Sequence, residues 1–243
     1  MEEIRDWGQR CLGLPPNFSV LRDFFGFRRG KLPTDPTGVR TQVSLVRQVQ
    51  RLKDFSFNLN VIEVGSDQFT DADRNQVDYS IFRLRNIYDQ VGVGVGRIQH
   101  WDVTTSEANG LDTPTTTTNL EQMTNLRSIG NDGIDMFVAH NFSVVSQGSV
   151  VAGMAPEGGP CDKNAKGMNG ATVGLFGREQ TSRSFTHELG HYLGLGHEND
   201  KPDNLMCQSS LANSIRNSIL LRTDQGSKMT THCSMTFRCL RVG

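Results

Sequence analysis

Four side chains in one short stretch could do chemistry together: His187, Glu188, His191 and His197, in the string HELGHYLGLGH. In a helix, residues four apart stand one above the other on the same face. His187 and His191 can therefore aim two imidazoles at one ion. Glu188, one residue beyond His187, is within reach of a proton on metal-bound water. A straight helix cannot supply a third ligand six residues after His191, so the chain must turn. Gly194 is placed to make that turn, because glycine enters left-handed backbone without steric cost. His197 then completes a three-histidine set with a fourth position open for water, as in a catalytic zinc site. Three neutral imidazoles leave the ion electron-poor, so that a bound water has a pKa of about 7 in place of about 15.7. Glu188 would accept that water's proton and later hand it to a leaving amine. The chemistry is hydrolysis of an amide.

A lone histidine is more often a packed or surface residue, and a bare HExxH arises by chance. Here three histidines, the glutamate, the glycine and a downstream methionine coincide. The string matches HExxHxxGxxH, and Met206 follows in Asn204-Leu205-Met206. Together these resemble the metzincin clan of zinc endopeptidases. The resemblance implies one catalytic zinc held by His187, His191 and His197, with Glu188 as general base. Met206 would be the methionine of a turn that lies beneath the imidazoles as an apolar floor. The short gap from His197 to Met206 is similar to that of matrixins. Leu195 and Gln208 depart from astacins and serralysins, which place phenylalanine and tyrosine there, whereas Glu198 is similar to astacins, so the subfamily stays open. The resemblance covers about residues 40 to 235, with its motifs confined to 187–206. It implies an α/β (α+β) fold: a twisted mixed five-stranded sheet, backing helices, an active-site helix and a small C-terminal subdomain.

The elements that must position this string follow from periodicity and punctuation. Residues 1–37, with Pro15-Pro16 and the basic, turn-rich run from Arg28 to Pro36, read as a preceding segment, a candidate pro-segment. Residues 38–197 read as the larger catalytic subdomain and 198–243 as the smaller one carrying Met206. Residues 55–64 alternate as a strand. Thr70 or Asp71 caps a helix to about Val91, with Val77, Ile81, Leu84 and Tyr88 on its buried face. Residues 93–103 form a second strand. Asn119 with Gln122 caps a helix carrying Leu120, Met123, Leu126 and Ile129. Strands follow at 134–142, 149–154 and 171–176, and the last feeds a zinc helix capped near Thr181, with Phe185, Leu189 and Leu193 packing inward. Thr223 to Gln225 cap a final helix. In the clan, the strand at the position of 149–154 is an exposed edge. That makes Val150, Val151, Ala152, Gly153 and Met154 the candidate strand on which an extended peptide would add through main-chain hydrogen bonds.

Cys11, in Gln9-Arg10-Cys11-Leu12-Gly13, invites comparison with matrixins and pappalysins, in which an upstream cysteine preceded by arginine can occupy the open zinc position. A thiolate is a good zinc ligand and would displace the water. Cys11 is thus a candidate latency switch, or a plain thiol. The cysteine count is five. In an oxidising compartment four could pair, and no CxxC spacing suggests a second zinc site. Calcium is only weakly supported: Asp67, Asp71, Asp73 and Asp78 lack the spacing of a helix-loop-helix site and suit the positive end of the first helix.

With 243 residues, 25 basic and 26 acidic, the chain carries a net charge of −1. That balance suggests neither nucleic acid nor an anionic membrane as partner, and no run reaches the ~18 apolar residues of a spanning helix. The cysteines and the family resemblance favour export. The first residues, however, lack the basic start and apolar core of a secretory signal, so either no leader is made or it has been removed. The reading is a zinc metalloendopeptidase acting on peptides or proteins. Its rivals are a zinc-stabilised binding or toxin-delivery module and a hydrolase of a non-peptide amide. The intact Glu188 argues against the first, because a structural site needs no base.

Overall fold

A computed structural model describes residues 55–146 and 148–237. The preceding segment with Cys11, and Cys239, lie outside the described residues. Strand β1 (Phe55–Val64) is followed by helix α1 (Asp71–Tyr88), β2 (Val93–Val103), the short α2 (Thr105–Ala108) and α3 (Thr117–Leu126). Then come β3 (Gly133–Ala139), the two-residue strands β4 (Val145–Ser146), β5 (Ser149–Val150) and β6 (Gly153–Met154), and β7 (Ala171–Gly174). Helix α4 (Arg178–Tyr192), helix α5 (Thr223–Thr230) and β8 (Thr236–Phe237) complete the order.

The main path of the sheet runs β2-β1-β3-β7-β6. Strands β2, β1, β3 and β7 are mutually parallel, and β6 runs antiparallel on the end, giving the expected mixed five-stranded sheet. A sixth strand was not anticipated. β8 pairs antiparallel with Phe55 and Ser56, on the side of β1 that β3 leaves open because it joins only from Asn58 onward.

Alternation along the strands sorts side chains to two faces. Phe57, Leu59, Val61, Ile134, Met136 and Val138 pack under α1 and α4. Ile62, Val64, Phe137 and Ala139 pack on the other face against Leu120 and Met123 of α3. With both faces covered, β1 and β3 are buried almost throughout, as central parallel strands must be. Helix α1 has its anticipated inward face, with Val77, Ile81, Leu84 and Tyr88 all buried. Its start carries a capping box between Thr70 and Asp73. Asp67 is likewise occupied, accepting from the Thr105 main-chain N–H at the head of α2 (2.6 Å). These two carboxylates of the calcium candidate set thus serve helix termini.

Three expectations need correction. Helix α3 is capped by Thr116, with Asn119 as the third helical residue. It ends at Leu126, which is exposed, because Asp135 draws the Ser128 hydroxyl and the Ile129 N–H away from a helical path. Strand β3 stops at Ala139, short of Phe142. The 149–154 strand is broken: Val150 belongs to a separate hairpin with Val145 and is exposed. The Val151 N–H is drawn back to Val144 O (3.0 Å), while Ala152 O already accepts from Gly174 N (3.0 Å). Opposed pulls on adjacent residues bend the chain there. Of the candidate substrate strand, only Gly153 and Met154 lie in the main sheet.

The long connection from β6 to β7 is held close beneath the end of α4. Gly158 N donates to His191 O (2.9 Å) and Gly159 N to Tyr192 O (2.8 Å). The Tyr192 hydroxyl donates to Pro160 O (2.6 Å), and a disulfide joins Cys161 to Cys233. Lys163 reaches back to the buried Asp135 (2.9 Å). Among the described residues no helix is long and apolar enough to cross a membrane.

Candidate active site

Helix α4 begins directly after β7. Gly177 is its N-cap, and Thr181 accepts from Phe176 N (2.9 Å), an extra tie at the first turn. Phe185, Leu189 and Leu193 face the core as anticipated. The opposite stripe carries Arg183, His187 and His191 at intervals of four, so both imidazoles emerge on one side.

The helix is stopped by the hydrogen bonds of a Schellman motif. Gly194 has φ +97, its N–H donates to His191 O (2.8 Å), and Leu195 N donates to Gly190 O (2.9 Å). A side chain at a left-handed position is strained, which is why glycine stands there. The reversal brings His197 back beside the helix. The ring centroids of His187 and His191 are 4.6 Å apart, and those of His191 and His197 are 4.5 Å apart.

The tautomers are set by main-chain carbonyls. His187 Nδ1 lies 2.8 Å from Leu205 O, and His191 Nδ1 lies 2.7 Å from Leu195 O. A carbonyl oxygen only accepts, so each Nδ1 carries the proton. Burial lowers the His187 pKa far below its ordinary value and that of His191 to about 4, so both rings are neutral near pH 7. Their Nε2 lone pairs are therefore bare. One ligand atom from each of the three rings lies within 4.8 Å of the others, and His191 Nε2 is only 3.1 Å from His197 Nε2. A cation between the two nitrogens could be held by both. Two nitrogens on a tetrahedral zinc would be about 3.3 Å apart. The donor set fits zinc.

Glu188 is buried beside this set, and burial pushes its carboxyl up to about 8, with the Arg183 charge pulling the other way. Its neighbour across the sheet is β6. A Cβ on Gly153 would stand 2.7 Å from Glu188 Cγ, so the terminal strand passes directly against this carboxylate. Met206 is fully buried against α4, with Sδ only 2.7 Å from where a side chain on Gly190 would begin. Its turn is tied to the residue after His197 by Glu198 N to Met206 O (3.0 Å), and is closed internally by the Asn204 side chain, which accepts from Met206 N (2.8 Å). Gln208 pairs with Asn199 (2.8 Å), and Glu198 with Arg222 (2.8 Å) and Lys201 (2.9 Å).

The structure thus brings His187, Glu188, His191, His197, Met206 and Gly153 to one place. Val150 and Val151 are not part of it. Three contributors escaped the sequence reading. The carbonyls of Leu195 and Leu205 carry no sequence signal. Arg183 did carry one, as a charged residue one turn before His187 on the same face. A second cluster of metal-type residues, Cys161, His232 and Cys233, is accounted for. Its sulfurs are joined, and His232 is engaged with Gly159 O (2.9 Å) and Ser234 N (3.2 Å).

A family profile described as metallo-peptidase family M12B, reprolysin-like, matches residues 74–198. Among solved structures, archaemetzincin from Methanopyrus kandleri is similar with a TM-score of 0.51 at 17% identity, over 72% of this chain and 95% of that one. Metalloproteinase-II from Bacteroides fragilis is similar with a TM-score of 0.50 at 13% identity, over 75% of this chain and 54% of that one. At such identities the likeness is one of fold. No curated protein matches the chain by sequence.

Proposed function

This chain belongs to the reprolysin-like metallo-peptidase family M12B, in the metzincin clan of zinc metalloproteases, and from that premise we propose that it is an endopeptidase with Glu188 as its general base. In this reading residues 38–197 form the larger subdomain and 198–243 the smaller. The observation that carries it is the convergence of three imidazoles and a buried carboxylate beside the terminal strand of the sheet. Zinc, when bound, supplies Lewis acidity toward a scissile carbonyl and toward water.

The chain's own residues do the rest. His187, His191 and His197 would hold the metal, the first two through Nε2 because Leu205 O and Leu195 O engage their Nδ1. Such tethering of the second ring nitrogen raises ligand basicity and prevents rotation. Glu188 takes a proton from the attacking water and delivers it to the departing amine. Burial raises the proton affinity of its carboxyl in the metal-free site, and a dication held beside it would favour the carboxylate that accepts the proton. An extended peptide adds to the free side of β6, which places its backbone beside Glu188. A terminal strand that can accept a further strand suits a peptide interior rather than a small amide.

The test is incubation with a diverse peptide library, with and without a chelator, reading cleavage sites by mass spectrometry for wild type and Glu188→Gln. Internal cuts are expected from wild type only, and only without chelator, while the variant keeps full zinc content. A fully active Glu188→Gln would remove the base assignment. Cuts confined to chain ends or to small amides would remove the endopeptidase reading.

A further inference from the structure

We propose that Arg183 is a positioning residue for the metal centre, fixing the methionine turn and, through Leu205, the ring of His187. Arg183 is the largest fully buried side chain of the described residues. Taking a guanidinium out of water costs several kcal/mol unless its donors are satisfied. Among the described residues its partners are carbonyl and hydroxyl oxygens. Nε donates to Ser218 O (2.9 Å) and Nη1 to Ser209 Oγ (3.2 Å). Nη2 faces Cys207 O (2.5 Å), Leu205 O (3.1 Å) and Asn204 O (3.4 Å).

Those carbonyls belong to the segment that carries Met206, whose own turn hydrogen bonds and Asn204 side chain shape it locally but do not tie it to α4. Between α4 and α5 there is no helix or strand, only the single bridge of Asn204 to Leu220. A planar fork with five donors can gather several carbonyls at once, whereas an ammonium is a point donor. Without the fork, Leu205 O and Cys207 O would each lose a buried donor, and the turn would lose its anchor on α4.

The link to the metal is one oxygen. Leu205 O accepts from Arg183 Nη2 and also from His187 Nδ1 at 2.8 Å. Arg183 and His187 stand one helical turn apart, so a rigid helix, a shared carbonyl and a ring form a closed loop. Moving Leu205 would free His187 to rotate and shift Met206 from its seat against Gly190.

This inference rests on the zinc-peptidase reading but makes a prediction of its own sign. A positive charge near a dication disfavours binding, so electrostatics alone predicts tighter zinc when Arg183 is removed. Positioning predicts weaker zinc. The experiment measures zinc affinity of the full chain by competition with a chromogenic chelator, and the visible spectrum of the cobalt-substituted protein. It compares wild type, Arg183→Met and Arg183→Lys. Both variants are expected to bind zinc roughly 10- to 100-fold more weakly and to shift the cobalt bands, because neither can span the carbonyls. If Arg183→Met does not fold, Arg183→Lys decides alone. Wild-type zinc affinity and cobalt bands in a folded variant, or tighter zinc, would overturn the proposal. A wild-type protein that binds zinc but cuts no peptide would instead sink the peptidase reading and leave this result standing.

Discussion

Replacing Gly153 by alanine tests whether β6 is the substrate strand. The new methyl would lie 2.5 Å from Thr172 O, 2.7 Å from Glu188 Cγ and 3.2 Å from Glu188 Cδ. Thr172 cannot retreat, because β7 is held between β6 and β3 through the Phe137–Thr172 pairing. Glu188 cannot retreat without turning away from the metal ligands. The strand must therefore move outward by about 1 Å, or the carboxylate must rotate; a displacement of that size in a catalytic group costs about 100-fold. Overpacking of this kind costs about 1–3 kcal/mol, which for a chain of this length lowers the melting temperature by roughly 2–10 °C. Zinc content is expected to be unchanged, because the ligands stand on α4 and the segment that follows Gly194. Gly130→Ala is the control, since nothing lies within 4 Å of a Cβ there. Steady-state kinetics on a cleaved peptide, calorimetry and metal analysis read the three effects. Wild-type kcat/KM together with an unchanged melting temperature would refute the close passage of β6 past Glu188.

Two further outcomes follow from the same geometry. Reduction, or Cys161→Ser, opens a link between residues 72 apart. Chain entropy then removes about 4 kcal/mol and lowers the melting temperature by roughly 10 °C; an unchanged melting temperature under reductant would count against the link. The chelated protein should be most stable near pH 6.5. His191 has a folded pKa of about 4 against 6.5, so the unfolded chain takes up its proton first and stability falls as pH drops through that window, by on the order of 3 kcal/mol. Glu188 has a folded pKa of about 8 against 4.5, so the folded state keeps its proton longer and its contribution falls as pH rises from 4.5 to about 8. Below 6.5 this offsets the His191 effect, but the still larger lowering of His187 keeps the maximum near 6.5, and above 6.5 the Glu188 fall stands alone. Glu188→Gln should abolish the alkaline fall, and calorimetry that shows the fall intact in that variant would reject its cause.

What was legible in the sequence follows a physical division. Ligands set by local periodicity could be read directly: His187 and His191 by helical spacing, His197 by the left-handed glycine that precedes it. The helix faces of α1 and α4, and strands β1 and β2, were legible for the same reason. Features set by partners far along the chain were not. Helix α3 ends where it does because Asp135 competes for Ser128 and Ile129. Strand β8 exists because β3 starts late on β1. The run Ser149-Val150-Val151-Ala152-Gly153-Met154 has one composition throughout, yet its halves are claimed by different neighbours, Val144 and Gly174. Breaking that run moves the proposed substrate contact onto Gly153 and Met154. It leaves Val145 and Val150 exposed on a hairpin of their own. A peptide aligned on the sheet therefore has a short main-chain ladder beside Glu188, and side-chain pockets must carry more of its binding than a long strand would require.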